Sequence, residues 1–413
     1  MSLTADALRL AAVEVFRARP VRHLGLAVSG GSDSMAMLCL IVPWARATGM
    51  AVSVATVDHG LRVEAVAEAA FVGRVCAGLG VAHRVLAWRG WDGRGNLQAS
   101  ARAARTGLLA AWARDVGAEA VALGHTLDDQ AETVLLRLLR GSGVDGLSGM
   151  EADREEGGLR WVRPLIGLRR EALRGFLCAE GRAWVEDPSN ADERFDRVKA
   201  RRALEALGSL GVEAEGLVAT AGRMRMARQA LEEYARRAAR EVARVDGGDV
   251  VFARAGFDAL PEETRLRLWS DAVRWVGGAV YRPRLSGLQA ALAELAEGRR
   301  RTLQGAVLSR GRGVWRVSRE PAAVRDLRVP VGEVWDRWLV EGPPGFHDAE
   351  VRALGAAVDG VPGWRLAGLP RATVMVSPSV WRGETLVAAP VAGFGQGWTA
   401  RIVTPSPCLT LSH

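Results

Sequence analysis

Leu24-Gly25-Leu26-Ala27-Val28-Ser29-Gly30-Gly31-Ser32-Asp33-Ser34 carries a short apolar run into two glycines and then small hydroxyl residues. A buried strand entering such a turn is suited to phosphate. Glycines let the backbone approach an anion closely, and hydroxyls and the first N–H groups of the following helix point at it. A helix is expected at once, because Met35, Met37, Leu38, Leu40 and Ile41 are apolar and no breaker precedes Pro43. The spacing is not that of a Walker loop, GxxxxGKS/T, and the chain's only lysine, Lys199, lies far downstream, so a P-loop kinase or GTPase is excluded. The plain structural alternative is a Ser/Gly-rich turn that merely caps a helix.

Outward from this turn, apolar strands alternate with amphipathic helices. Strands are expected at Leu24–Val28, Val52–Val57, Ala82–Ala87 and Ala120–Leu123, with helices near 35–48, 64–79 and 99–116. That alternation predicts an α/β fold, a doubly wound and mostly parallel Rossmann-like sheet with ligands at the carboxyl ends of its strands. Asp58-His59-Gly60-Leu61-Arg62 follows the second strand at such an end. From about Ala203 to Gly247 the pattern is helical and dense in arginine, and a second helical segment spans Pro261 to Glu297. Short strands with turns follow, at Thr302–Leu308, Val314–Val317 and Val374–Val376. The expected division is an α/β domain over 1–205, a helix-rich domain over 206–320 and a small mixed α/β or β-rich domain over 321–413.

With 413 residues the chain is long enough for two or three domains. Its formal net charge is +8, with a sequence pI of about 10.3, which suits a partner with a phosphate backbone. No apolar run is long enough for a membrane span, and Asp6 and Glu14 interrupt the N-terminal segment, so neither a membrane anchor nor a signal peptide is expected. Cys39, Cys76, Cys178 and Cys408 form no CxxC and no metal spacing, consistent with a reducing cytoplasm and no structural zinc.

A second segment sharpens the function. Gly124-His125-Thr126-Leu127-Asp128-Asp129-Gln130-Ala131-Glu132 follows the last of these strands and opens a helix. If that helix begins near Asp128, Asp129 and Glu132 share a face and point to the carboxyl edge of the sheet. Two carboxylates there suit a cationic amine or a Mg²⁺ ion on a triphosphate. Capping of the helix dipole by Asp128 and Asp129 is the alternative, though it leaves His125 unexplained.

The string SGGSDS resembles the signature of the PP-loop ATP pyrophosphatases, which cleave ATP between its α- and β-phosphates. GHTLDDQAE, with Gly141-Ser142-Gly143-Val144-Asp145-Gly146-Leu147 behind it, is similar to the tRNA(Ile)-lysidine synthetase family. Further likenesses are Gly95-Asn96-Leu97-Gln98 with Arg102 and Arg105, Arg163-Pro164-Leu165, and Glu186-Asp187-Pro188-Ser189-Asn190 with Arg194, Arg197 and Arg201. The match spans roughly residues 20–205 and is weaker beyond, where Gly298–Leu308 and Arg319-Glu320-Pro321 resemble part of the family's C-terminal region. Two departures stand out: Val198-Lys199-Ala200 replaces the usual asparagine-containing stretch before the last arginine, and Thr106 stands where a tyrosine is common.

The resemblance implies a ligase using ATP and Mg²⁺, an isoleucine tRNA with a CAU anticodon, and free L-lysine. Ser29, Gly30, Gly31, Ser32, Asp33 and Ser34, with Asp58, His59 and Gly124, would form the ATP site, Asp33 helping to place Mg²⁺. Arg197 and Arg201 would clamp the α-phosphate. Asp129 and Glu132 would hold and deprotonate lysine in either order, with His125 near phosphate or base. The arginine-rich region after Ala203, including Arg225 and Arg228 on one helix side, would grip tRNA phosphates. A late tryptophan such as Trp398 is more readily core than a stacking platform. The oligomeric state is not legible, and a homodimer stays open. Competing readings are a PP-loop tRNA thiolase, which needs a cysteine pair or Fe–S cluster near the site, and a tRNA-binding protein with a decayed catalytic domain.

Overall fold

The computed structural model describes residues 4–60, 64–91, 97–186 and 196–404, apart from the side chains of Gln98 and Ala99. Leu61, Arg62, Gly95, Asn96, the segment from Asp187 to Arg194, and Cys408 therefore lie outside the described residues. The chain divides into two compact units, Met1–Arg228 and Gln229–His413.

The first unit runs α1 (Ala5–Val13), β1 (His23–Ala27), α2 (Ser32–Thr48), β2 (Ala51–Asp58), α3 (Glu64–Gly78), β3 (Ala82–Ala87), α4 (Leu97–Val116) and β4 (Ala120–Leu123). It continues through α5 (Leu127–Leu139), α6 (Val144–Leu147), β5 (Asp153–Glu156), β6 (Leu159–Val162), α7 (Arg170–Ala179), α8 (Asp196–Gly208) and α9 (Ala214–Val242), the last of which crosses into the second unit. The sheet has the order β3-β2-β1-β4-β6-β5. Its strands are parallel except β5, which pairs antiparallel with β6. This is the doubly wound sheet that the alternating pattern predicts.

The chain leaves β1 toward β2 and β3, then returns to place β4 on the other side of β1. That reversal is the topological switch point, where open α/β sheets bind ligands. It brings together the two helices opened by the telling sequence segments, α2 after β1 and α5 after β4. Packing fixes both. Met35, Met37, Leu38, Leu40 and Ile41 of α2 are all fully buried against Leu24 and Leu26 of β1, while Trp112 and Trp161 fill the core cluster around Val121. Pro43 lies inside α2 without ending it; the helix stops at Thr48, with Gly49 at φ +73°.

The β5–β6 hairpin is not expected from the sequence, because Asp153-Arg154-Glu155-Glu156 has no apolar alternation. Its fit comes from Arg160, a buried residue whose guanidinium joins Asp153 at 2.7 Å and donates to the Val15 carbonyl at 3.1 Å. Tertiary pairing overrides local polarity here.

In the second unit, five antiparallel strands lie in the order β7 (Ala243–Asp246), β8 (Asp249–Ala253), β11 (Val314–Arg319), β10 (Ala306–Gly311), β9 (Arg301–Leu303). The expected strand Val314–Val317 lies within β11, the expected strand Thr302–Leu308 is broken by a turn at Gln304-Gly305 into the antiparallel β9 and β10, and β7 and β8 are strands that the sequence reading did not expect. The β7–β8 hairpin directly follows the arginine-rich end of α9 in the chain and turns on Gly247-Gly248. The helical segment 261–297 is two helices, Glu262–Gly277 and Leu285–Ala296, and Trp269, Val273, Leu288 and Leu295 join their faces to the sheet's core. Beyond residue 320 lie a four-stranded and a three-stranded sheet. Val374–Val376 is not the expected strand: Arg371–Met375 forms a short helix, with Pro370 at its N-cap and Thr373 and Val374 buried. Trp398 is core, packed edge-on to Phe346 at 5.1 Å. Among the described residues no helix is long and apolar enough to cross a membrane.

Candidate active site

At the carboxyl ends of β1 and β4 lies a cavity of about 710 Å³. Ser29, Gly31, Ser32, Asp33 and Ser34 line one side of it, and Gly124, His125, Asp129 and Glu132 are also in its wall. Gly30 takes φ +95°, a conformation that disfavours side chains. Gly31 caps α2 with no side-chain hydrogen bond, so the first-turn N–H groups are left for a ligand. Ser34 braces the turn itself: its hydroxyl donates to the Gly31 carbonyl at 3.0 Å and accepts from the Ser29 N–H at 3.1 Å. Gly124 serves close approach, since a Cβ there would sit 3.1 Å from the Ser34 Cα.

Thr126 is the N-cap of α5, and Asp129 completes a capping box. The Asp129 Oδ2 accepts from the Thr126 N–H at 2.8 Å and from the Thr126 hydroxyl at 2.9 Å. Its other oxygen, Oδ1, takes a donor from Arg170 at 3.1 Å. Capping and a place in the cavity wall therefore coexist in one side chain. Burial alone would raise the Asp129 carboxyl; Arg170, His125 and the Thr126 donors outweigh it and hold the group below its ordinary value.

Glu132, one helical turn on, differs. Its side chain is 2 % exposed, and its Oε1 accepts from Arg201 Nε at 3.0 Å. Oε2 is buried and has no hydrogen-bond partner among the described residues. Burial, with the Asp129 charge added, pushes the Glu132 carboxyl above its usual range. Asp33 is likewise raised by burial, which Arg170 only partly offsets.

Arg170 is the site residue that sequence reasoning missed. Its Nε lies 2.9 Å from Asp33 Oδ2, its Nη2 3.1 Å from Asp129 Oδ1 and its Nη1 3.7 Å from Glu132 Oε1. The available signal was the RPL segment six residues upstream, since Arg170 opens the helix that this segment leads into.

Positive charge also enters the cavity. Arg105 and Arg197 both line it, and among the described residues neither makes an ion pair. Burial lowers the Arg105 guanidinium below its ordinary value, and repulsion from Arg102 and Arg197 adds to this. His125 is neutral: burial drives it down to about 3, against the opposing pull of Asp129. Its Nδ1 lies 3.2 Å from Arg163 Nε, so it accepts there and the proton sits on Nε2. His125 is thus a fixed N–H donor rather than a cation or a proton shuttle. His125→Gln, which keeps a donor, is expected to retain activity within about tenfold, whereas His125→Ala loses about 10²-fold or more. Steady-state kinetics at neutral pH checks the contrast.

Other expected residues lie apart from this cavity. Asp58 accepts from the Gly60 N–H at 2.9 Å, and His59 stands edge-on to Trp88 at 5.9 Å; neither residue lines the cavity. Arg225 donates to the Ser148 and Met150 carbonyls at 3.2 and 3.1 Å, and Arg228 to the Ser148 hydroxyl and the Glu151 carboxylate. This pair thus holds the protein's own 148–151 segment. Cys39 and Cys76 are buried, with burial pushing the Cys76 thiol up to about 11, and among the described residues no cysteine lines the cavity.

A phosphate turn, buried carboxylates and arginines without an ion pair among the described residues, at the switch point of a parallel sheet, define an ATP-using PP-loop enzyme. The PP-loop domain profile matches residues 6–207. A tRNA(Ile)-lysidine synthase of Ruegeria pomeroyi is 50% identical over 390 residues, covering 94% of this chain and 93% of that protein. Another, from Methylobacterium nodulans, is 45% identical over 313 residues, 72% of this chain and 90% of its own length. The chain belongs to the tRNA(Ile)-lysidine synthase family.

Proposed function

We propose that this protein converts the wobble cytidine of an isoleucine tRNA with a CAU anticodon to lysidine. The cytidine C2 oxygen attacks the α-phosphorus of ATP, the bond to the β-phosphate bridge breaks and pyrophosphate leaves. The lysine ε-amine then attacks C2, the C2–O bond breaks, and AMP leaves with that oxygen. The observation that carries the reading is the shared cavity, where an anion-binding turn faces buried carboxylates suited to an amine.

The chain's groups divide between the two steps. The open N–H groups of α2, with Ser29 and Ser32, suit the departing pyrophosphate. Arg105 and Arg197, lacking counter-ions among the described residues, suit the charge that gathers on the α-phosphate. Asp33 is the carboxylate that would carry Mg²⁺. This ion takes one or two carboxylates together with substrate phosphates. When bound it supplies positive charge against the triphosphate.

For lysine, the structure favours one division of labour. Asp129 has both oxygens engaged and a depressed pKa, so it stays an anion and holds the ammonium. Glu132, raised and with one oxygen open, is the better proton acceptor as the amine attacks.

Incorporation of labelled lysine into an isoleucine tRNA transcript with a CAU anticodon, with ATP and Mg²⁺, tests the reading. A methionine tRNA with the same anticodon is the control. Label in the isoleucine transcript alone, with stoichiometric AMP, is expected. Pyrophosphate release driven by another tRNA, without lysine uptake, would overturn it.

A further inference from the structure

Arg170 touches both halves of the site. As the first residue of α7 it is fixed at its backbone, where its N–H donates to Asp128 Oδ2 at 2.7 Å. Its guanidinium then reaches Asp33 on α2, on the phosphate side, and Asp129 on α5, on the amine side, at 2.9 and 3.1 Å. Glu132 lies 3.7 Å from its remaining nitrogen. The side chain is largely buried, at 18 % exposure, so these contacts are poorly screened by water.

Resting on the lysidine reading, we propose that Arg170 is a positioning residue that couples adenylation to lysine transfer, one guanidinium holding Asp33 and the amine-binding carboxylates in register. A planar fork with donors at fixed angles can span two carboxylates on different helices; a lysine ammonium is a point charge and cannot hold both in one geometry. Movement of Asp33 as the phosphates arrive is passed through the shared donor to Asp129. Because such coupling is reciprocal, lysine must alter ATP binding by the factor with which ATP alters lysine binding.

The test compares Arg170→Met and Arg170→Lys with wild type in two assays, tRNA-dependent ATP–pyrophosphate exchange without lysine and lysine KM and kcat in the full reaction. In Arg170→Met, exchange is expected to fall, and lysine KM to rise, each by about tenfold or more. In Arg170→Lys one of the two recovers and the other does not. The idea is overturned if Arg170→Met leaves either assay within about twofold of wild type, or if Arg170→Lys restores both. A structural role alone would lower kcat through the active fraction, with both KM values unchanged and a reduced melting temperature, and would also overturn it. Should Arg170→Met fail to fold, Arg170→Lys carries the same decision. Wild-type enzyme that exchanges pyrophosphate but takes up no lysine would instead sink the lysidine reading beneath it.

Discussion

Glu132→Gln is expected to reduce lysine transfer by about 10²–10⁴-fold while pyrophosphate release stays within about threefold of wild type. The reason is local. Glutamine keeps the Oε1 acceptor that Arg201 holds from Nε and Nη2, both at 3.0 Å, so the packing of α5 on α8 survives. What changes is Oε2, the buried oxygen without a partner among the described residues, which becomes an NH₂ group unable to take a proton. Among the described residues the Glu132 carboxylate pairs with Arg201 and Arg170 and with no group of the phosphate turn, so the first step should proceed. The stability effect has the opposite sign. Folding raises the Glu132 carboxyl above its unfolded value, so the ionised group opposes folding above its unfolded pKa and that penalty fades as pH falls. At neutral pH the glutamine variant should therefore melt at the same temperature or higher. In wild type, transfer should fall with decreasing pH as the raised carboxyl protonates, and the variant should lack this limb. Quenched-flow measurement of transfer and pyrophosphate release, with a melting curve, decides the matter. A lower melting temperature with both steps lost would make Glu132 a structural keystone and remove it as the base.

The glycine turn and the GHTLDDQAE string were legible because each is a local solution to a local demand: Gly30 needs a positive φ, and the α5 N-terminus needs its cap. Periodicity was enough for β3 and β4, whose bounds coincide with the reading, since their neighbours are amphipathic helices of ordinary length. What failed shares a different cause. The strand Asp153–Glu156 is polar and holds only through its partner and Arg160. Arg170 contributes through contacts with residues 41 and 137 positions away in the chain, which no spacing rule reveals. Arg225 donates to the Ser148 and Met150 carbonyls, and Arg228 to the Ser148 hydroxyl and the Glu151 carboxylate, partners that the run of arginines does not name. Charge density reports where arginines are, while their partners depend on tertiary structure.

Arg197→Gln is expected to lower the adenylation rate by about 10²–10³-fold, as for loss of a preorganised donor at a developing charge. Arg197 and Arg105 line the same cavity, and Arg105 is held below its ordinary pKa by burial and by repulsion from Arg102 and Arg197. This concentration of like charge is unfavourable in the free protein and is relieved when a polyphosphate enters. Removing Arg197 should thus stabilise the free protein slightly while weakening its response to nucleotide. The expected pattern is an unchanged or higher melting temperature without ligand, and a smaller upward shift with a non-hydrolysable ATP analogue at fixed concentration. Arg201 supplies the contrast. It is paired with Glu132 at 3.0 Å, so neutralising it leaves a buried carboxylate with less compensation and should lower the ligand-free melting temperature. Two arginines four residues apart on α8 therefore differ in sign, one opposing the free fold and one supporting it. An ATP-analogue shift equal to wild type in Arg197→Gln would place the α-phosphate elsewhere and leave Arg197 a solvated helix-face residue.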